Sequence, residues 1–460
     1  MSTPQTLVEH AIEASTADHC VVVLEQSSTA NLRWAVNTLT TNGIMTASTI
    51  TVVSIVDGAR GQAVGVLSRT ATTRSQVALL VAEADEAARS AAPAEDAAPL
   101  VEGDPSGDWA TSPGHTSLET LETFGASLGE AFDRARSAGQ LLYGYVEHAV
   151  TTTYLATSTG LRLRHEQPTG HVGITAKPAD LTASAWVGQA VEQLDEVDVS
   201  GLDAELVRRL GWAGRTVELP AGRYETLLPP TAVADLAIYA YFVASGRDAH
   251  EGQTVFSDPA GGTRVGQQIV STDVTLASDP AAAGLAATPF ALATSSGSAA
   301  SVFDNGTPLG HTEWIRDGRL KALQTSRHTS ALTGLATTPV VDNLLVSVDG
   351  GQGTVDDMVA SSDRALLLTC LWYIRAVDPQ TLLLTGLTRD GVYLVEGGEV
   401  VGAVNNFRFN ESPIDLLGRF TQAGATERSF SREWGDYFPR TATPALRIPD
   451  FNMSSVSQAS

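Results

Sequence analysis

The chain has 460 residues, of which 43% are hydrophobic and 18% charged, and its formal net charge is −23. Such a length exceeds what one hydrophobic core usually supports, so two or three structural units are expected. The acidic excess argues against nucleic acid or an anionic membrane as a partner, since both bind cationic surfaces. No apolar run approaches the roughly 18 residues of a membrane span, and the composition is that of a soluble globular protein.

The N-terminal segment and the cysteines bear on the cellular compartment. Residues 1–15 contain Glu9 and Glu13 but no basic cluster, which disfavours a secretory signal and predicts a cytoplasmic protein. A large cytosolic chain with only two cysteines, Cys20 and Cys370, is expected to keep both reduced and buried.

The first half of the chain mixes predicted strands and helices. Clusters of β-branched residues predict strands at 21–25, 32–37 and 49–56. Apolar residues at helical spacing predict helices at 76–91 and 118–132. Between these two helices, residues 91–117 contain four prolines among acidic and small residues, which predicts an exposed loop within the first domain.

A change of character near residue 215 separates two predicted domains. Strands around 141–163, 172–176 and 184–187, followed by a short helix at 202–210, complete a mixed α/β domain over residues 1–215. Residues 216–460 are dominated by short strands and glycine-rich turns, with helices predicted at 231–245 and 355–360. The expected fold is therefore α+β, with an N-terminal mixed α/β domain followed by a strand-rich C-terminal domain.

Several histidine and glycine motifs resemble active-site signatures without completing them. His250-Glu251 starts like a zinc-protease motif, but Thr254 and Val255 occupy the positions where a second histidine would stand, which indicates a surface loop. His165 and His171 flank a Pro-Thr-Gly turn and are interpreted as polar surface. Residues 294–298 lack the G-x-S-x-G order of a nucleophile elbow, and residues 261–266 indicate a turn, not a phosphate loop.

The stretch 371–413 has the most specific pattern of strands and turns in the chain. A strand leads through Asp378-Pro379 to the pair Thr385-Gly386, and an apolar strand at 392–396 ends in a turn at Gly398-Glu399. Upstream lie the segments 271–280 and 303–306, and earlier still 31–37 and 156–160. Together and in this order, these segments resemble the TldD/PmbA family.

The resemblance implies where a zinc site would lie and what replaces it. TldD-type members carry HExxxH on the helix that opens the second domain, and a late cysteine completes the site. The corresponding helix of this chain has Ala234 and Tyr239 at the histidine positions and Asp235 at the glutamate position, while the cysteine position lies near Glu433-Trp434. No histidine lies between His171 and His250, and no cysteine follows Cys370. The resemblance is therefore to the TldE (PmbA) type of subunit, which lacks the zinc site.

The resemblance implies a non-catalytic subunit of a heteromeric zinc metalloprotease that degrades or processes unfolded or small peptides. Zinc and the catalytic residues would come from a TldD-like partner, and no cofactor is expected in this chain. An extended peptide would lie in a groove, for which the candidate groove or interface residues are Tyr239, Arg327, His328, Trp372, Tyr373 and Arg375.

Ordinary structural roles compete for these residues. Trp372 and Tyr373 are expected to pack in a core or at a subunit interface, and Arg327 is expected to pair with a surface carboxylate. Two other functions stay open, namely a stand-alone peptide-binding protein without a protease partner and an autonomous hydrolase with an unrecognised site.

Overall fold

Six long antiparallel strands form one sheet in the first part of the chain. A computed structural model describes residues 2–457. In chain order the strands are β1 (His19–Ala35), β2 (Thr38–Gly58), β3 (Gly61–Arg69), β4 (Gln140–Thr157), β5 (Arg162–Pro178) and β6 (Ala185–Val191). Their spatial order is β3-β2-β1-β4-β5-β6.

Four helices cover one face of this sheet, namely α1 (Pro4–Ala14), α2 (Arg74–Ser90), α3 (Glu122–Ser137) and α4 (Val199–Trp212). Alternate strand residues such as Val22 and Leu24 pack beneath α1 and α2, and Val146 and Ile174 pack beneath α3 and α4. This alternation leaves the opposite face of β4, β5 and β6 free to form part of a site.

Residues 21–25 and 32–35 are in strand conformation as predicted, but they belong to one strand, because β1 runs without interruption from His19 to Ala35, and residues 36–37 form the turn that follows it. Its polar middle, with Ser28 and Thr29 buried, is held by continuous pairing to β2 on one side and β4 on the other. Local sequence indicated a break there, whereas two long neighbouring strands supply partners for every backbone group.

Residues 91–117 form neither a helix nor a regular strand and are mostly exposed. Three of these residues nevertheless contact the strand-rich part of the chain. Asp96 accepts a hydrogen bond from the Ser301 hydroxyl (2.6 Å), and Glu95 pairs with Arg247 (2.5 Å). The carbonyl of Pro99 accepts from Arg327 (2.9 Å).

The second part of the chain is strand-rich, which confirms the predicted fold class. Its strands are β7 (Thr216–Val217), β8 (Gly222–Leu228), β9 (Val274–Ser278), β10 (Thr312–Arg316), β11 (Arg319–Leu320), β12 (Leu344–Val348), β13 (Arg364–Leu368), β14 (Leu371–Asp378), β15 (Leu383–Thr388), β16 (Val392–Glu396), β17 (Glu399–Val404), β18 (Phe407–Glu411), β19 (Gln422–Ala423), β20 (Glu427–Ser429), β21 (Thr441–Thr443) and β22 (Leu446–Val456). One sheet has the order β14-β15-β18-β22-β8-β13-β16-β17-β7, with β19 on β22, and the other has the order β11-β10-β9-β12-β21-β20.

The helices of this part are α5 (Pro230–Phe242), α6 (Gly246–His250), α7 (Arg327–Thr333), α8 (Val355–Ala360) and α9 (Pro413–Arg419). Pro230 starts α5, a position where its missing N–H is not needed. Every residue of α5 from Ala232 to Tyr241 is buried, because strands of both sheets and α9 surround it. A carboxylate on this helix therefore lies inside the protein.

Two sequence expectations about the whole chain concern cysteines and membrane spans. Cys20 and Cys370 are both buried and unpaired, as predicted. Among the helices of residues 2–457, none is both long enough and apolar enough to cross a membrane.

Candidate functional site

A cleft of about 670 Å³ lies between the first six-stranded sheet and residues 372 and 430–436 of the strand-rich part of the chain. One wall is the helix-free face of the first sheet, where alternate residues of β4 and β5 point outward. The other wall consists of Trp372 on β14 and the segment 430–436. The lining residues used below are Arg33, Trp34, Tyr145, Glu147, His171, Trp186, Trp372, Phe430, Arg432, Glu433 and Asp436.

Asp235 of α5 is fully buried and binds the segment that forms this second wall. Its Oδ1 accepts hydrogen bonds from the Ser431 hydroxyl (2.7 Å) and the Glu433 N–H (3.0 Å). Its Oδ2 accepts from the Leu371 N–H (3.2 Å). Burial raises the pKa of Asp235 to about 7, although these donors oppose the shift. Asp235 thus joins α5, β14 and residues 431–433.

Glu433 holds the neighbouring part of β14. Its Oε1 accepts from the Ile374 N–H (3.0 Å) and the Arg375 guanidinium (3.0 Å), and its Oε2 accepts from the Tyr373 N–H (2.9 Å). The register of β14 shifts between Trp372 and Arg375, and Tyr373 has a φ of 57°. This bulge aims two successive N–H groups at one carboxylate.

Tyr239 lies beside Trp434, with their rings 5.3 Å apart in an edge-on arrangement. The Tyr239 hydroxyl donates to the Ile374 carbonyl (2.7 Å). Burial and the nearby Glu433 carboxylate raise the pKa of Tyr239 to about 12, so the phenol is neutral at physiological pH.

These residues do not fit a zinc ion. Ala234 offers no donor atom, the Tyr239 hydroxyl is protonated and bound to a carbonyl, and the two carboxylates already accept several hydrogen bonds each. Zinc needs deprotonated nitrogen, sulfur or oxygen ligands that converge on one point. Within residues 2–457, no three His, Cys, Asp or Glu side chains are grouped so as to hold a metal.

An arginine between two tryptophans lines the cleft. The Arg432 guanidinium carbon lies 4.7 Å from the ring centres of both Trp186 and Trp372. Its carboxylate partner Asp390 is 3.6 Å away. Stacking between aromatic faces is favourable for guanidinium, and it fixes the position of all three side chains.

His171 also lines the cleft. Its ring stacks on Phe430 at 5.6 Å, and Nε2 lies 3.7 Å from Asp436. Burial lowers the pKa of His171, which favours a neutral imidazole. Glu147, directly opposite His171 across the β4–β5 pair, accepts a hydrogen bond from Tyr145.

Four lining residues have a buried nitrogen without a hydrogen-bond partner in the described part of the chain. These atoms are Nε1 of Trp34, Nε2 of His171, Nε1 of Trp186 and Nε of Arg432. Buried donors of this kind are normally satisfied. Ordered water or a bound group would supply the partners that these four atoms lack within the protein.

Residues 221–455, just over half of the chain, match the family model of the PmbA/TldA metallopeptidase C-terminal domain. The chain belongs to the TldD/PmbA family. No curated protein sequence gives a match, so the remaining likenesses are to solved structures and concern the fold alone.

Three solved structures share the fold of this TldD/PmbA family member over nearly its whole length. TldE from Thermococcus kodakarensis is 16% identical, with a TM-score of 0.77, and the match covers 97% of this chain and 98% of that one. A putative modulator of DNA gyrase from Bacteroides thetaiotaomicron is 13% identical, with a TM-score of 0.76 and 98% coverage of both chains. Another from Thermotoga maritima is 15% identical, with a TM-score of 0.71, and covers 94% of this chain and 95% of its own.

The structure brings together only some of the candidate residues. Trp372 lines the cleft, and Tyr239, Tyr373 and Arg375 lie beside it through their contacts with residues 374, 433 and 434. Tyr373 is 60% exposed, so it does not pack in the core of this TldD/PmbA chain.

Arg327 and His328 are not among the residues that line the cleft. Arg327 donates to Asp304 (2.6 Å) and to the Pro99 carbonyl (2.9 Å). The expectation of a surface carboxylate as its partner is wrong, because Asp304 is only 4% exposed. Arg327 is the first residue of the short helix α7, and its side chain contacts Phe303 and Asp304.

His171 corrects another expectation, since it is buried in the cleft wall and not on a polar surface. Phe430 and Tyr145 cover its ring, and Phe430 comes from a distant part of the chain. Sequence analysis also missed Tyr145, Glu147, Trp186, Phe430 and Arg432. The alternation of Tyr143, Tyr145 and Glu147 along a strand was the one available signal for this face.

Proposed function

We propose that this chain is a non-catalytic, TldE-like subunit of a heteromeric zinc metalloprotease that acts on unfolded or small peptides. A TldD-like partner would supply zinc and the catalytic residues. Family membership and the fold shared with TldE support this proposal. The observation that carries it is the ion pair and hydrogen-bond network of Asp235, Glu433 and Arg375, which involves positions that the resemblance assigns to the zinc site.

This network disfavours metal binding as well as catalysis. Arg375 places a positive charge 3.0 Å from Glu433, and at such short range a second cation would be strongly repelled. Asp235 is enclosed by protein donors, so it has no open side from which to take a proton from water. A hydrolytic metal site needs an open coordination position and an accessible base.

The cleft has features suited to holding a peptide without cleaving it. Unpartnered N–H groups on its walls match the carbonyl groups of an extended backbone. The lining contains Arg33 and Arg432 against three carboxylates, Glu147, Glu433 and Asp436. Because carboxylates outnumber arginines in the lining, the cleft favours an uncharged segment of peptide backbone over a ligand with a free carboxylate. Two buried, unpaired cysteines accord with a cytoplasmic location.

The decisive experiment compares this chain, a purified TldD-like protein that carries HExxxH, and their mixture in a peptide cleavage assay. We expect the mixture to cleave an unfolded peptide, this chain alone to be inactive, and desalted chain to retain less than about a tenth of an equivalent of zinc. A partner with its HExxxH glutamate changed to glutamine is the matched control. Cleavage or stoichiometric zinc in this chain alone would overturn the proposal.

Peptide binding is tested separately with Trp186→Phe, which keeps an aromatic ring at this position but removes the indole N–H. We expect this change to weaken binding of a capped, uncharged peptide about fivefold or more, the loss of roughly one hydrogen bond. Trp212→Phe is the control, because Trp212 packs on Tyr393 outside the cleft. Peptide binding by this chain without partner-dependent cleavage would instead support a stand-alone binding protein.

A further inference from the structure

Two carboxylates on the walls of the cleft lie beside His171 without a cation as a partner. Glu147 is directly opposite His171 across the β4–β5 pair, and it accepts a hydrogen bond from the neutral Tyr145 hydroxyl. Asp436 lies 3.7 Å from Nε2 of His171, and burial lowers the pKa of this imidazole. Within residues 2–457, neither carboxylate forms an ion pair with an arginine or a lysine. Their negative charge is therefore not neutralised by the protein.

The other carboxylate of the cleft and its buried arginine are both paired. Glu433 binds the Arg375 guanidinium at 3.0 Å. Arg432 lies 3.6 Å from Asp390. The excess of negative charge in the cleft is thus confined to the wall beside His171.

Aromatic rings next to these carboxylates suit the stem or the plane of a cationic side chain. The His171 ring lies 5.6 Å from the Phe430 ring and 5.8 Å from the Tyr145 ring. The exposed Arg33 shows that the same surface attracts a cation, because its guanidinium carbon lies 5.4 Å from the centre of the Tyr145 ring. Such contacts between cations and aromatic faces are favourable even near the surface.

His171 provides a second, independent observation at this wall. The residue is 9% exposed and lines the cleft, and its Nε2 has no hydrogen-bond partner in the described part of the chain. The distance of 3.7 Å to Asp436 is too long for a direct hydrogen bond. A neutral imidazole can present this nitrogen as an acceptor, so one bound group with several N–H donors satisfies both His171 and Asp436.

We propose that Glu147, His171 and Asp436 form a subsite for the cationic side chain of a lysine or an arginine in a bound peptide. The ammonium or guanidinium group lies beside the carboxylates, and the apolar stem lies on the rings of Tyr145 and Phe430. Among residues 2–457, no acidic or histidine side chains are grouped closely enough to hold a metal ion, which favours a larger organic cation. The subsite rests on the proposed role of the cleft in peptide binding.

Binding of short capped peptides to the full chain tests this subsite. The peptides contain alanine throughout except for lysine, Nε-acetyllysine or glutamate at the central position. We expect the lysine peptide to bind about tenfold more tightly than the acetyllysine peptide, which has the same stem but no charge. The glutamate peptide should bind most weakly, because like charges repel. Isothermal titration calorimetry measures all three affinities.

The double variant Glu147→Gln and Asp436→Asn removes both charges and nearly preserves the shape of the subsite. We expect it to lose the preference for lysine, while its affinity for the acetyllysine peptide stays within about twofold of the wild-type value. The control is Asp363→Asn with Glu399→Gln, which changes the net charge by the same amount at two exposed positions outside the cleft. This control should keep the preference for lysine.

Arg33→Gln tests the subsite in the opposite direction. The variant removes a cation that lines the same cleft, so the lysine peptide should bind about threefold more tightly. Weaker lysine binding by this variant, equal wild-type affinities for the lysine and acetyllysine peptides, or an unchanged preference in the double variant would disprove the subsite but not peptide binding itself. If none of the peptides binds, both the subsite and the proposed role of the cleft are wrong.

Discussion

Glu433 connects the segment 431–434 to the bulge in β14. Its side chain is 9% exposed and accepts hydrogen bonds from two backbone N–H groups and from Arg375. We expect Glu433→Ala to lower the free energy of unfolding by about 2 kcal/mol, because these donors lose their acceptor. Glu433→Gln keeps one carbonyl oxygen and should cost about half as much. Urea unfolding measures both, and the exposed Glu399→Ala is the control, with an expected change below about 0.5 kcal/mol.

Asp235 should give the protein a distinctive pH dependence. Burial raises its folded-state pKa to about 7, whereas an unfolded aspartate titrates near pH 4. Between these values the folded chain binds more protons at Asp235 than the unfolded chain does. The contribution of Asp235 to stability is therefore fully present below about pH 4 and declines as the pH rises towards 7.

The comparison of wild type with Asp235→Asn isolates this contribution. We expect the wild type to lose more unfolding free energy than the variant between about pH 5 and about pH 7.5. Asp378→Asn is the control, because its exposed carboxylate has a pKa that the Thr381 hydroxyl lowers, which places its titration below this range. Parallel pH curves for wild type and Asp235→Asn would show that Asp235 is ionised throughout.

At the level of elements, the turn between β1 and β2 carries backbone strain. Val36 and Asn37 both have positive φ values, 51° and 57°, which favour Asn and Gly and disfavour a β-branched residue. Asn37 also donates to the Gln140 carbonyl (2.7 Å) and accepts from the Leu142 N–H (2.7 Å). We expect Val36→Asn to raise the free energy of unfolding by about 1 kcal/mol. Val36→Ala keeps a Cβ at this position and should gain less, and equal gains would contradict the strain argument.

Elements defined by local signals were predicted well from the sequence. Strand β16 and helix α8 have the predicted limits, since Gly397 and Gly398 set the turn after β16 and Thr354 caps α8. The uninterrupted course of β1 was not predicted, because its polar centre is held by strands from elsewhere in the chain. The cleft was missed for the same reason, since His171 and Phe430 meet only in the folded protein. The sequence alone shows that residues 234, 235 and 239 are neither histidine nor glutamate, but the binding of Glu433 to the bulge in β14 could be seen only in the folded backbone.

At the scale of the whole molecule, residues 91–117 connect the first part of the chain to the strand-rich part through hydrogen bonds and an ion pair. Arg327 is central to this connection, because its guanidinium donates to the buried Asp304, to the Phe303 carbonyl (2.5 Å) and to the Pro99 carbonyl (2.9 Å). Ser301 and Arg247 bind the neighbouring Asp96 and Glu95. The cleft lies between the same two parts of the chain, so its shape depends on the contacts that hold them together.

We therefore expect Arg327→Ala to lower the free energy of unfolding and also to make residues 91–117 more mobile. The change leaves the buried Asp304 carboxylate without its cation; because the Arg327 side chain is itself 31% exposed, we expect a cost of about 2 kcal/mol, between the values typical of exposed and of fully buried pairs. Loss of the Pro99 contact should also make residues 91–117 several-fold more sensitive to limited proteolysis under native conditions. Arg316→Ala is the matched control, because Arg316 forms only exposed pairs with Glu313 and Asp317, which are worth less than about 1 kcal/mol. If Arg327→Ala unfolds earlier but leaves cleavage of residues 91–117 unchanged, Arg327 stabilises the second domain alone and does not hold the loop across the domain boundary.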